Sequence, residues 1–210
     1  METLKELPKI TEPDTRSTAF VKFNSSTGTT EPITLEDNYR YVEYVQLTES
    51  VPEDVRSYME AVKTLFVYGW FYYPFYTLSV LLATTAVEMA LRARFPKKGP
   101  DFRGLGRLFR RAINEGILRD ENFPSLKHVQ ANRPIIFPET EQSQIGAASQ
   151  PEQSYAERVA NGLIHFRNEF AHPHAHWILP PGPAFDFLVL AGEVINQLWP
   201  VESQGSVNVP

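Results

Sequence analysis

The segment RNEFAHPHAH, residues 167–176, holds the side chains with the clearest potential for chemistry in this chain. It contains Arg167 and three of the five histidines, including His172 and His174. An imidazole moves protons near neutral pH, and a guanidinium binds a phosphate bidentately and stabilises its added negative charge. Arg167 and His172 therefore suit phosphodiester cleavage without a metal ion. The histidine would move the proton of a ribose 2′-hydroxyl or of the leaving oxygen.

A helix over about residues 152–171 is predicted to position this segment. Apolar side chains recur there at helical spacing and should face the core: Val159, Leu163, Phe166 and Phe170. Arg167 then lies about 70° around the helix from the centre of the apolar stripe, at about 100° per residue. Pro173 disfavours helical geometry at His172, so the helix should end near that histidine.

Four further helices are predicted from apolar periodicity, over about residues 50–67, 75–95, 103–115 and 184–199. Ser50 and Glu53 have the spacing of a capping box at the start of the first of these helices. Gly116 is the expected C-cap of the third. The second should bury one side that carries Leu78, Leu81, Leu82, Val87 and Leu91. The sum is an all-α fold: an antiparallel bundle of about five helices.

The N-terminal residues 1–48 have a different texture and are predicted to form a small extended or β appendage. AFVKF, PITL and YRYVEYVQL are typical of short strands around the polar turn SSTGTT. Such a segment is too small for a core of its own, so it should pack on the helical domain or on a partner chain. The helical domain is assigned to residues 49–200, with a flexible loop over about 122–150, and residues 201–210 form a C-terminal tail.

Composition excludes several kinds of site. The chain has no cysteine, which rules out disulfides, thiolate zinc sites and a cysteine nucleophile. The start, METLKELPKI, lacks the apolar region of a signal peptide, and a cytoplasmic protein is expected. Residues 64–87 are an uncharged run long enough to span a membrane. Gly69, Pro74 and several hydroxyl side chains interrupt the run, so a core helix is favoured over a membrane span.

Positive charge is concentrated in one part of an otherwise acidic protein. The net charge is −5, yet between Arg92 and Arg111 the only acidic residue is Asp101. Eight basic residues fall in that stretch: Arg92, Arg94, Lys97, Lys98, Arg103, Arg107, Arg110 and Arg111. Such a local excess is typical of a phosphate-binding surface, and Arg103, Arg107, Arg110 and Arg111 are candidate RNA-binding residues. The alternative is a solvated helix face whose ion pairs lie elsewhere.

The motif and its surroundings resemble a known family. Arg167-Asn168-Glu169-Phe170-Ala171-His172 matches the R-x4-6-H signature of the HEPN superfamily (higher eukaryotes and prokaryotes nucleotide-binding). AVEMALRARF, LGRLFRRAINEGIL, the motif and a final apolar helix follow in the order found in bacterial HEPN-like proteins. The resemblance covers about residues 50–200. It implies a dimer whose two motifs meet in a composite cleft, and metal-independent RNA cleavage that leaves 2′,3′-cyclic phosphate and 5′-hydroxyl ends.

The resemblance also implies roles for single residues. Arg167 and His172 would be the catalytic pair, and Asn168 fits the polar residue that usually follows the arginine. Glu88, isolated in the apolar segment AVEMALRA, would be the acidic residue that orients Arg167. Its alternative is an ion pair with Arg92 at i+4. His174, with six residues between it and Arg167, is the alternative catalytic histidine.

Other interpretations remain open at this point. Arg158 and His165 also satisfy the motif spacing, which we attribute to coincidence. His165, Glu169 and His172 share a helix face that could bind a metal ion, although no second ligand motif accompanies them and no metal or cofactor is expected. A HEPN-like chain can also be a non-catalytic module that binds RNA, nucleotides or a protein. Expected partners are RNA, a second copy of the chain and, in a defence or toxin–antitoxin setting, an antitoxin.

Overall fold

The computed structural model describes residues 4–24, 26–96, 104–126, 153–171 and 178–200. These residues form a mostly helical body with one small N-terminal sheet. The two strands are β1 (Val21–Asn24) and β2 (Thr29–Pro32), and they pair antiparallel. Six α-helices lie within the described ranges: α1 (Leu35–Tyr44), α2 (Glu53–Tyr68), α3 (Pro74–Arg94), α4 (Leu105–Asn114), α5 (Tyr155–Ala171) and α6 (Pro181–Leu198). The expectation of an all-α fold with a β appendage is confirmed at this level.

The helices are not uniformly antiparallel. Helices α2 and α3 are antiparallel neighbours joined by a short turn. Helices α4 and α5 also run antiparallel, because the start of α4 lies beside Ile164 and its end leads to Asp120 at the start of α5. Helices α3 and α6 share the most extensive contact in the described structure, and they run parallel. At one end of this pair the backbone N–H of Leu179 donates to Thr77 Oγ1 at 2.9 Å, and at the other Arg94 lies 5.6 Å from the Trp199 ring centroid. The expected antiparallel bundle is therefore only partly observed.

Helix α3 is the central element of the fold, in contact with α2, α4, α5 and α6. It is the one helix in the described ranges long and apolar enough to cross a membrane, with a mean hydropathy of 1.4 over an 18-residue window. Of that window, 56% is buried against the rest of the chain. Two of its buried hydroxyls are satisfied within the helix: Ser79 Oγ donates to the Tyr76 carbonyl at 2.6 Å and Thr84 Oγ1 to that of Leu81 at 2.7 Å. A core position therefore accounts for its apolarity.

The prediction of strands in PITL and YRYVEYVQL is wrong, because α1 occupies most of this segment. Its start is a capping box: Thr34 Oγ1 accepts from the Asp37 N–H, and Asp37 accepts from the Thr34 N–H. Val42 and Val45 enter the common core, so the helical body begins at Leu35 rather than at residue 49. The alternation of aromatic and polar residues suggested period 2, but burial against α2 and α6 favours the helix.

Two details of the other helices also differ from the sequence-based predictions. Helix α2 begins at Glu53 after Pro52, and no side chain caps it. Ser50 is engaged elsewhere, because its hydroxyl donates to the Trp199 carbonyl. On α3, Val87 and Leu91 are buried as predicted, but Leu78 is 42% exposed, and Leu81 and Leu82 are half-buried. The buried side carries smaller residues such as Ala83, Ala86 and Ala90, because neighbouring helices pack closely against it.

The N-terminal segment is attached to the turn between α2 and α3 by Asp14. Its carboxylate accepts from Arg16 Nε at 2.9 Å, from Arg16 Nη2 at 2.8 Å and from the Tyr73 backbone N–H at 3.2 Å, while its own N–H donates to the Trp70 carbonyl. These hydrogen bonds, the one from the Arg16 side chain above all, outweigh burial and lower the pKa of Asp14 from 3.8 to about 2. Arg16 also lies 4.8 Å from the Tyr73 ring centroid.

Asp14 should make stability depend on pH in the acidic range. Its pKa is lower in the folded chain, so its contribution is complete above the unfolded value of 3.8 and is lost as the pH falls towards 2. The shift corresponds to about 2 kcal/mol at neutral pH. We expect Asp14→Asn to be less stable than the parent chain at pH 6 in urea unfolding. The difference should narrow steadily between pH 4 and about pH 2. A difference independent of pH would contradict this assignment.

Candidate functional site

Helix α5 carries Arg167, and its start is fixed by two sets of hydrogen bonds. Ser154 and Glu157 form a capping box, with the Glu157 N–H donating to Ser154 Oγ at 3.2 Å and the Ser154 N–H to Glu157 Oε2 at 2.9 Å. The Asp120 carboxylate accepts from the backbone N–H groups of Tyr155 and Ala156, both at 2.9 Å. A carboxylate at this position also interacts favourably with the helix dipole. The register of α5 is thus set at its N-terminus.

The apolar stripe predicted for α5 fixes its rotation. Val159, Leu163 and Phe166 are buried. The ring centroid of Phe166 lies 4.1 Å from that of Phe187 on α6, in an edge-to-face arrangement. The side chain of Phe170 lies outside the described residues. Because Phe166 points into the core, the next residue is turned by about 100° away from it. Helix periodicity therefore places Arg167 on the surface.

Arg167 and Asn168 are both exposed. Within the described ranges, no side chain or carbonyl hydrogen-bonds or ion-pairs with Arg167. Both residues follow Ile164 by one turn on the same side of α5. Ile164 in turn packs against Gly106 of α4, because its Cδ1 lies 3.5 Å from the position that a Cβ on Gly106 would occupy. Arg167 therefore lies on the flank of α5 that faces the beginning of α4. The sequence did not predict this proximity.

The histidines of the candidate site can be placed only by sequence. Helix α5 is described as far as Ala171, next to His172. His172, His174 and His176 lie outside the described residues, as does Arg103, so their predicted roles stay predictions. His165 is half-buried, and its ring packs edge to face against that of Phe166 with 6.0 Å between the ring centroids. That packing is consistent with treating the Arg158–His165 spacing as coincidental.

Glu88 is placed in the alternative interaction that its spacing allowed. Its Oε1 accepts from Arg92 Nη2 at 2.6 Å and from Arg92 Nε at 3.0 Å, and the Glu88 side chain is 21% exposed. In the described part of the chain, no hydrogen bond joins Glu88 to Arg167. The role of Glu88 in orienting Arg167 therefore stays a prediction.

The arginines of α4 are not equivalent. Arg107 and Arg110 are exposed on the outer face of the helix, opposite the buried Leu105, Leu108, Phe109 and Ala112. Arg111 is half-buried: its guanidinium carbon lies 4.5 Å from the Phe95 ring centroid, and its Nε is 2.6 Å from Glu115 Oε1. Arg111 is therefore engaged by protein groups and half-buried, and Arg107 and Arg110 are the more exposed arginines of this helix.

Glycine ends α4 as predicted. The N–H of Gly116 donates to the Ile113 carbonyl and that of Ile117 to the Ala112 carbonyl, both at 2.9 Å, which is a Schellman motif. Gly116 has φ of +66°, a conformation that favours glycine. The turn leads the chain to Asp120, whose carboxylate accepts hydrogen bonds from the backbone at the start of α5. Asp120 therefore connects the end of α4 to the start of α5.

The described residues offer no ready metal site. No group of three or more histidine, aspartate or glutamate side chains in those ranges is close enough to hold a metal ion. His165 and Glu169 of the alternative metal face are described, but His172 is not. That alternative therefore stays a hypothesis.

Comparisons of the chain with family models, with curated proteins and with solved structures find no match. The resemblance to the HEPN superfamily therefore rests on the motif and on the order of the helical segments.

The Glu88–Arg92 pair should contribute little to stability, because Arg92 is 53% exposed at its side chain. We expect Glu88→Gln and Arg92→Gln each to lower the free energy of unfolding by less than about 1 kcal/mol. The coupling in a double-mutant cycle should be about 0.3–0.5 kcal/mol. A much larger loss from Glu88→Gln than from Arg92→Gln would show that Glu88 has a second partner.

Proposed function

We propose that this chain is a metal-independent endoribonuclease of the HEPN type that acts as a homodimer. The observation that carries the proposal is the state of Arg167. It is exposed in the last turns of a helix whose rotation is fixed by buried residues, and no described group pairs with it. An unpaired guanidinium held by a rigid element is suited to an external anion, because no internal carboxylate competes for its donors.

The proposed reaction needs two groups at the scissile phosphate. His172 takes the proton from the ribose 2′-hydroxyl, whose oxygen attacks phosphorus while the bond to the 5′-oxygen breaks. The leaving 5′-oxygen receives a proton from a second imidazole, which is His172 of the other subunit or His174. The products are a 2′,3′-cyclic phosphate and a 5′-hydroxyl, so atoms and charges balance. Arg167 stabilises the negative charge that accumulates on the phosphoryl oxygens.

A dimer would supply the paired groups that this chemistry requires. One chain carries a single Arg167, and the resemblance to the HEPN superfamily implies that two motifs meet at a two-fold axis. The exposure of Arg167 and Asn168 is compatible with such an interface. RNA would then contact Arg107 and Arg110 of α4, whose beginning lies beside the Arg167 flank of α5.

The test is cleavage of mixed RNA in EDTA by purified protein. We expect Arg167→Ala and His172→Ala each to reduce cleavage at least about a hundredfold, as loss of a phosphate-stabilising or proton-transferring group does. The matched control is Arg158→Ala, which removes the same charge from an exposed position on α5. Mass spectrometry should detect cyclic phosphate ends, and gel filtration should give a dimer.

Two outcomes would contradict the proposal in different ways. Loss of cleavage in Arg158→Ala and His165→Ala, with normal cleavage in Arg167→Ala, would move the site to the other pair with motif spacing. RNA binding without cleavage in any preparation would favour the non-catalytic module. The ion pair of Glu88 with Arg92 is the observation that agrees with that module, because it leaves Arg167 without its orienting carboxylate.

A further inference from the structure

A pocket of about 530 Å³ lies at the end of the bundle where α3, α4 and α6 terminate. Its volume is within the range of ligand-binding pockets, which is about 300–1,000 Å³. Arg94 and Arg119 line it, together with Gly116, Asn122, Glu193 and Gln197. Arg94 belongs to the basic stretch of residues 92–111, but neither Arg94 nor Arg119 is among the candidate RNA-binding residues predicted from the sequence.

The guanidinium of Arg94 has no hydrogen-bond acceptor among the described residues. Its contact is with the Trp199 ring, whose centroid lies 5.6 Å from the guanidinium carbon. Arg119 is held differently: its Nε donates to the Gly116 carbonyl at 2.6 Å, and its Nη1 is 4.0 Å from Glu121 Oε1, the limit of an ion pair. The Arg119 side chain is 57% exposed. Two positive charges are thus presented at one pocket.

The other polar groups of the pocket have internal partners that hold them in place. Gln197 Oε1 accepts from the Arg119 backbone N–H at 3.0 Å, and its Nε2 donates to the Asn122 carbonyl at 3.2 Å. The Glu193 carboxylate accepts from the backbone N–H and the hydroxyl of Ser125, at 2.8 and 2.6 Å. No hydrogen bond in the described structure joins Glu193 to Arg94. Two arginines against the one carboxylate of Glu193 give the lining a net positive charge, which suits an anion.

The position of the pocket relative to Arg167 follows from α4 and α5. The Tyr155 N–H donates to Asp120, two residues before Asn122 of the pocket, so the start of α5 lies near the pocket. From Tyr155 to Arg167 the helix rises about 18 Å. Helix α4 runs alongside, from Gly106 beside Ile164 to the Gly116 turn, and exposes Arg107 and Arg110 on the way. Exposed arginines of α4 therefore lie along the helix that leads from the Arg167 flank to the turn at the pocket.

We propose that the pocket of Arg94 and Arg119 binds a backbone phosphate of single-stranded RNA, about five nucleotides from the bond at Arg167, at roughly 3.4 Å per stacked nucleotide. The identity of this ligand rests on the proposed function. The inference adds a minimum substrate length, because an oligonucleotide too short to reach from Arg167 to the pocket loses the two arginine contacts.

The experiment measures binding of non-cleavable 2′-O-methyl RNA by fluorescence anisotropy, with single strands of about three and about twelve nucleotides. We expect the full-length protein to bind the longer strand at least about tenfold more tightly at 0.1 M salt. Arg94→Gln/Arg119→Gln should remove most of this difference and leave the Kd of the short strand unchanged. It should also reduce the slope of log K against log salt by about 0.7, since the pocket holds one phosphate and each single-strand phosphate contact contributes about 0.7.

Two controls keep the test decisive. Arg40→Gln removes one exposed arginine on α1 that pairs with Glu36, and it should not alter either Kd. Arg119 contacts the carbonyl of the α4 turn, so the double variant could lose stability. Arg94→Gln alone replaces a side chain that has no hydrogen bond among the described residues. This single variant should still weaken the binding of the longer strand about threefold or more.

The outcomes separate this inference from the proposed function. Equal binding of the short and long strands, or an unchanged preference in both pocket variants, would overturn the pocket assignment even if RNA is cleaved. A length preference that depends on Arg94 and Arg119 supports the pocket even if no preparation cleaves RNA, in which case the catalytic proposal alone fails.

Discussion

The burial of helix α3 is the constraint on which the rest of the structure depends. Its apolar side chains can leave water only if several helices pack around it, and α2, α4, α5 and α6 do so. Small residues on its buried side, such as Ala83, Ala86 and Ala90, allow this close packing. At its beginning, Tyr76 fills the space beside Gly69, where a Cβ would lie 2.7 Å from the Tyr76 ring. The turn between α2 and α3 therefore depends on the packing of α3.

The same constraint explains which parts of the fold could be predicted from the sequence. Long segments with strong apolar periodicity, such as α2, α5 and α6, were located well because a helix with one buried face leaves a clear pattern. On α3 the pattern is less informative. The helix is apolar on nearly all sides, so the large leucines suggested the wrong inward face, and Leu78 is exposed. Which side of such a helix is buried depends on its neighbours, and these are far away in sequence.

Segment 35–44 shows a different limit of prediction. Its alternating aromatic and polar residues fit a strand, yet Thr34 and Asp37 supply a helix-start signal that the sequence-based interpretation did not use.

For the candidate site, the rotation of α5 was predictable, because Phe166 in the core places Arg167 on the surface. The neighbourhood of Arg167 was not predictable, because the contact of Ile164 with Gly106 joins residues far apart in the chain. The sequence allowed two partners for Glu88, Arg167 and Arg92, and the structure pairs it with Arg92.

The hydrogen bonds from the start of α5 to Asp120 have a consequence for how the chain can vary. They attach α5 directly to the segment that follows the α4 turn, so the position of Arg167 is set from residue 120 rather than through the 26 residues of sequence between Leu126 and Gln153. Replacing Asp120 by a residue without a side-chain acceptor would leave two backbone N–H groups at the start of α5 without this partner. Position 120 therefore has to keep an acceptor if α5 is to hold Arg167 beside α4.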